Sequence, residues 1–203
     1  MDIRISHLSQ MWGTFGTGLT LALMFVLVGC NQKKEKTQVA VNHTEETADS
    51  TVYGVCGGGT SMHSLELVTD AGDTLVYAIL DAEADYDGGG TAGAVSHVEG
   101  GLMAGDKVAV TGQRVDGELI ADRVINITSL LGHWTSIDRN FEIEEGGTVR
   151  SNVQAETNPW TSWKILNGQL LLNRDTFDIS SLGADSLYIE NGKGIYTFKR
   201  VKM

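Results

Sequence analysis

Trp163-Lys164-Ile165-Leu166-Asn167-Gly168-Gln169-Leu170-Leu171-Leu172 decides the fold class of this chain. Two short apolar-rich runs flank an Asn-Gly pair, which readily supplies the two left-handed residues of a type I′ turn. The stretch reads as a β-hairpin. The same reading fits Leu187 to Glu190 and Lys193 to Phe198 around Asn191-Gly192. Glu145-Gly146-Gly147 signals a further turn, and Phe177-Asp178-Ile179 a further alternating run. Residues 129–203 thus hold eight expected strands, at about nine residues for each strand and its turn.

Upstream the pattern is similar. Leu65 to Val68 and Thr74 to Ile79 flank the turn Asp70-Ala71-Gly72-Asp73. Lys107 to Thr111 leads to Asp116-Gly117, a second hairpin signal, with a return strand from Glu118 to Ile127. Thr51 to Cys56 adds a strand in front, so about five strands are expected. The stretch between Ile79 and Lys107 reads as a Gly-rich loop followed by a short helix within Ala94 to Met103. Charge separates the two halves. Three bases stand against twelve acids between Thr51 and Thr128, but eight against nine from Ser129 onward. Trp134, Trp160 and Trp163 all lie in the second half. The expected architecture is all-β, a small barrel over 51–128 followed by a small antiparallel barrel over 129–203. Independent barrels would let Trp134→Ala unfold the second and spare the first.

Two resemblances sharpen this. Five strands with a long insert between the third and fourth resemble a small OB-fold barrel. The phrase Gly105-Asp106-Lys107-Val108-Ala109-Val110-Thr111-Gly112 is similar to the fourth strand of bacterial OB domains. Leu131-Gly132-His133-Trp134 carries a Gly-x-Trp that resembles the hallmark of lipocalin-like barrels. That resemblance implies that Trp134 plugs the closed end and that a basic residue of the last strand, here Arg200, packs over it. An eight-stranded barrel is just wide enough for its own side chains to fill. Phe141, Trp163, Leu170, Leu172 and Phe177 are the expected filling.

The N-terminal segment speaks to location. The apolar run Leu19 to Val28 is too short to span a bilayer permanently and suits a signal-peptide core. Leu27-Val28-Gly29-Cys30 resembles the bacterial lipobox. The resemblance implies removal of residues 1–29 and a diacylglycerol on Cys30, with fatty acids such as palmitate anchoring the chain to a membrane. Asn31, and not Asp, follows the Cys, which favours the outer membrane of the bacterial envelope. Residues 30–50 then form the acylated N-terminus and a polar tether without aromatics. With Cys30 acylated, Cys56 has no disulfide partner and reads as a small buried apolar residue.

Composition and motifs exclude several classes. A groove for phosphate backbones needs basic residues, and the OB-like half carries a net charge of −9. Nucleic acid is therefore not an expected partner. Glu83, Asp85 and Asp87, followed by Gly88, match the first, third, fifth and sixth positions of a calcium loop. The twelfth position is Ala94, where a bidentate Glu belongs. The stretch reads as a solvated acidic loop, with weak calcium binding as the alternative. His63, His97 and His133 show no zinc spacing. His97-Val98-Glu99 sets two ligand types on one strand face. Neither a Gly-x-Ser-x-Gly nor a Cys–His constellation argues for hydrolysis.

The expectation is a non-enzymatic, membrane-anchored envelope lipoprotein that binds an envelope protein or a small ligand, with no resident cofactor. The alternatives are an envelope stress or metal-response sensor and a carrier of a small hydrophobic ligand. Copper-responsive envelope lipoproteins combine similar modules in the opposite order. They carry a Cys-x-x-Cys that this chain lacks, so the resemblance implies no metal sensing.

Overall fold

Period-two burial builds two barrels in succession. The computed structural model describes residues 48–81, 95–153 and 156–202. The first half forms β1 (Val52–Cys56), β2 (Ser64–Thr69), β3 (Thr74–Ala78), β4 (His97–Glu99), β5 (Lys107–Val115) and β6 (Glu118–Asn126). Strand order is β3-β2-β1-β5-β6, and β3 closes the ring by pairing in parallel with β6 at Tyr77–Leu119 and Ala78–Ile120. Inward Cys56, Leu65, Leu67, Tyr77, Val108, Val110 and Val124 fill this five-stranded barrel. Asp116 (φ 50°) and Gly117 (φ 93°) are the two central residues of the β5–β6 turn, as the Asp-Gly pair predicts. Where a helix within 94–103 is expected, the described part, 95–103, holds the three-residue strand β4 and irregular chain. His97 to Glu99 pair in parallel with Arg123 to Ile125, continuing the edge of β6 that β3 leaves free. The unpaired backbone of β6 rewards a strand there more than a short helix could reward itself.

One helical turn, α1 (Ile127–Leu130), joins the halves. The second half is an up-and-down meander. It comprises β7 (Gly132–Thr135), β8 (Asn140–Ile143), β9 (Val149–Ser151), β10 (Trp163–Leu166), β11 (Gln169–Leu172), β12 (Asp175–Leu182), β13 (Ser186–Asn191) and β14 (Gly194–Arg200). All neighbours are antiparallel, and β14 returns to pair with β7. A single bridge, Thr148–Ser162, spans the gap between β9 and β10, so the barrel is nearly closed. Asn167 (φ 50°) and Gly168 (φ 76°) make the β10–β11 turn. At the last hairpin the turn sits one residue later than the Asn-Gly reading places it. Asn191 pairs with Gly194, and its side chain accepts a hydrogen bond from the Lys193 N–H at 2.9 Å. Asn191 works here as an Asx cap from the strand end, not as a turn centre.

The two barrels share packing. Ala109, Ile125 and Ile127 belong to the same buried cluster as Trp134, Leu170 and Phe198. The described residues fall in one compact unit. Asn126 is the one buried polar side chain among the described residues. Its amide donates to Gly100 O, Gly101 O and Asp106 Oδ2, and its oxygen accepts from the Ser129 N–H. Every hydrogen-bonding group of that amide is therefore engaged at the joint. Across the joint, the Tyr53 hydroxyl donates to Ile165 O at 2.5 Å, Leu182 N–H to Glu99 Oε2 at 3.2 Å, and Lys107 pairs with Glu145 at 2.9 Å.

Candidate functional site

Each end of the second barrel is closed by an indole under a guanidinium. Trp134 points inward from β7 and is 0% exposed. Its indole N–H donates to Leu130 O of α1 at 2.9 Å. The Arg200 guanidinium lies 4.2 Å from the Trp134 ring centroid. Arg200 also donates to Ala184 O at 2.6 Å, to Leu131 O at 2.7 Å and to Ser129 O. Burial lowers the Arg200 pKa from its ordinary value, and Asp185 opposes that shift. Gly132 (φ 122°) completes the arrangement, since a Cβ there would stand 2.6 Å from Arg200 Nη1. The structure thus brings Gly132, Trp134 and Arg200 into one contact.

The far end is closed by residues that hairpin patterns did not reveal. Trp160, 5% exposed, lies in the loop between β9 and β10. The Arg139 guanidinium sits 4.0 Å from its ring centroid and pairs with Glu156 at 2.5 Å. Asn173 pins the loop: its oxygen accepts from Thr161 N–H at 2.8 Å and Ser162 N–H at 3.1 Å, and its amide donates to Pro159 O at 3.0 Å. Trp160 meets Phe141 at 5.1 Å, Phe177 at 5.7 Å and Phe198 at 6.2 Å, all edge to face. Such pairs add about 0.5–1.5 kcal/mol each beyond area burial. Trp163, expected in the filling, is only half-buried. Its indole N–H donates to Glu144 O at 2.7 Å, holding the ring beside the cleft between the barrels. Trp160 fills the interior in its place.

Other residues singled out by sequence are dispersed. Cys30, and Glu83, Asp85 and Asp87 of the acidic loop, lie outside the described residues. Cys56 is buried at the end of β1, and burial together with Asp106 pushes its thiol up to about 11. His63 pairs with Asp81 at 3.1 Å on an exposed surface. Glu99 is turned to the barrel joint and not to His97. His133 Nε2 and Asn152 Nδ2 both lie within hydrogen-bond distance of Asn140 Oδ1, at 2.5 and 3.2 Å. No cluster of three metal-ligating side chains occurs among the described residues.

A surface concavity lies at the seam of the second barrel. A groove of about 630 Å³ runs between the β7–β8 turn (136–139) and β14, lined by Thr135, Ile137, Arg139, Ile195, Thr197 and Lys199. It exists because β7 is short. β14 pairs with β7 only at Lys199–Thr135 and Arg200–Trp134. At Ser136 the chain turns away, with the Ser136 N–H donating to Arg139 O at 2.7 Å. Ile137 is fully exposed and Ile195 is 70% exposed beside this seam. A smaller cleft of about 350 Å³ separates the barrels, with Tyr53, Trp163, Lys107 and Lys164 on its walls. No protein-family model, no curated protein and no solved structure matches this chain.

Proposed function

We propose that this protein is a non-enzymatic, membrane-anchored envelope lipoprotein whose two-barrel body is a binding module that works through its outer surface. The observation that carries the reading is the packed interior of the second barrel. Phe141, Trp160, Phe177 and Phe198 interlock there, with an Arg–Trp contact at each end. Opening a cup for a hydrophobic ligand would break these aromatic contacts, so carriage inside the barrel is disfavoured. Surface concavities such as the groove and the cleft are then the places for recognition. Anchoring rests on the lipobox-like Leu27-Val28-Gly29-Cys30 and the polar stretch after it. The strand orders, five with a parallel closure and eight in a meander, agree with OB-like and lipocalin-like identities for the two barrels.

Metabolic labelling with a fatty acid, followed by membrane fractionation, tests the reading. The wild-type chain is expected to incorporate label and to pellet with outer membranes. Cys30→Ser should lose the label and either stay unprocessed or leave the membrane. A cleaved Cys30→Ser chain that stays membrane-bound through its N-terminus would overturn it.

A further inference from the structure

We infer that Asn191 is a self-modification site: it closes on Gly192 to a succinimide and opens to aspartate or isoaspartate, while the similar pair Asn167-Gly168 is held against the same reaction. The inference is independent of anchoring and of ligand binding.

The chain offers two candidates. The reaction joins an Asn side-chain carbonyl to the backbone nitrogen of the next residue. It is easiest where that residue is Gly, because no Cβ crowds the nitrogen or restricts the backbone. Only Asn167 and Asn191 precede Gly in this sequence.

The turn at Asn191 assembles the reacting atoms. Asn191 closes β13 and pairs with Gly194, which leaves Gly192 and Lys193 as the loop. Neither loop residue has positive φ, and Asn at the first position with Gly at the fourth suits a type I turn. Asn191 Oδ1 accepts a hydrogen bond from the Lys193 N–H at 2.9 Å. That bond closes a small ring which contains both Asn191 Cγ and the Gly192 nitrogen, so electrophile and nucleophile are held together. The same N–H points at the oxygen on which negative charge develops during attack. Gly192 is exposed and lies outside both strands, so its nitrogen can give up a proton without breaking the ladder.

The steps balance with water as the only co-reactant. Hydroxide takes the Gly192 amide proton. The nitrogen bonds to Asn191 Cγ, the Cγ–Nδ2 bond breaks, and ammonia leaves with a proton from water. Water then opens the imide. Cleavage at Cγ leaves Asp, and cleavage at the backbone carbonyl leaves isoaspartate with one extra methylene in the main chain. Either product sets a new carboxylate next to Lys193, which already pairs with Asp175 at 3.1 Å.

Asn167 has the same neighbour and the opposite setting. Its Oδ1 accepts from the Ser50 N–H at 2.8 Å and from the Ser50 hydroxyl at 2.9 Å. Gly168 is buried, its carbonyl accepts from Arg123 at 3.3 Å, and a Cβ on it would stand 3.1 Å from Arg123 Cδ. Attack there must break both Ser50 bonds and move the turn off the first barrel.

The test incubates the full chain in detergent micelles, in heavy-oxygen water at mildly alkaline pH, beside a synthetic peptide of residues 187–196. Peptide mapping with fragmentation that separates Asp from isoaspartate counts only the molecules opened during incubation. Asn191 should convert at a rate comparable with that of the peptide and yield both products. Asn167 should convert about tenfold or more slowly, the scale of two hydrogen bonds that must break first. Gly192→Ala should slow Asn191 severalfold and spare the fold, since its Cβ meets nothing within 4 Å. Ser50→Ala should speed Asn167 about two- to tenfold, the scale of one hydrogen bond. Asn167 converting as fast as Asn191, Asn191 intact when the peptide is spent, or a rate at Asn191 that ignores Gly192→Ala would each overturn the inference.

Discussion

Truncating Trp134 to Ala probes how the two barrels are joined. The indole is fully buried, donates to Leu130 O at 2.9 Å and lies under Arg200 at 4.2 Å. A Trp→Ala cavity costs about 3–5 kcal/mol. Loss of the cation–π contact adds about 0.5–2 kcal/mol. For a folded unit of this size each kcal/mol lowers Tm by roughly 2–4 °C. A fall on the order of 10 °C or more is expected. The structure also changes what unfolds. Ile125 and Ile127 share the buried cluster with Trp134, and Asn126 ties the joint together. The first barrel should therefore melt with the second and not be spared. Scanning calorimetry reads the number of transitions, and labelling of Cys56, buried in the first barrel, reads when that barrel opens. One shifted transition with simultaneous exposure of Cys56 is expected. Two separated transitions, with Cys56 protected after the second barrel has melted, would refute the shared-core argument.

Three further outcomes follow from the geometry. Gly132→Ala places a Cβ 2.6 Å from Arg200 Nη1 at φ 122°, so it should destabilise by about 1–3 kcal/mol and move the Trp134 ring signals in NMR. The Cys56 thiol, pushed up to about 11 from 9.0, should carry about a hundredfold less thiolate at neutral pH and react with maleimide only as fast as the protein unfolds. Burial raises the Tyr53 pKa above its ordinary 10.0. The folded state then holds that proton more tightly than the unfolded state. Its stabilisation is complete below pH 10 and is lost as pH rises through the raised folded value. Denaturant titrations should show this loss, and Tyr53→Phe should flatten it while removing the bond to Ile165 O, worth about 0.5–1.5 kcal/mol.

Local chemistry made much of this fold legible. Asn167-Gly168 and Asp116-Gly117 are turns because their residues tolerate positive φ, a property visible in two letters. The alternation of Leu170 and Leu172 against Gln169 and Leu171 marks which face is buried, and Phe177 and Ile179 do the same on β12. The contact of Gly132, Trp134 and Arg200 was approachable because a short motif and a last-strand base can be matched by pattern. Trp160 was not, because it sits in a loop with no period and its place is set by Asn173, remote in sequence. Asn158-Pro159-Trp160, around the one proline after the N-terminal segment, was the only local cue. β4 escaped because its pairing partner is the far half of β6, which no local pattern announces. The groove escaped for a similar reason. It depends on β7 running for only four residues while β14 runs for seven.

The most direct test of a filled barrel that binds outside itself uses a spin-labelled long-chain fatty acid. It is titrated into the Cys30→Ser chain, and methyl resonances of Ile165, Leu170 and Ile189, all 0% exposed in the interior, are followed for paramagnetic broadening. The account predicts that these methyls stay sharp at saturating ligand, with any broadening confined to surface groups such as Ile137 and Ile195. Saturable broadening of the interior methyls would contradict it, showing that the Trp160 end opens and that the barrel carries its ligand within.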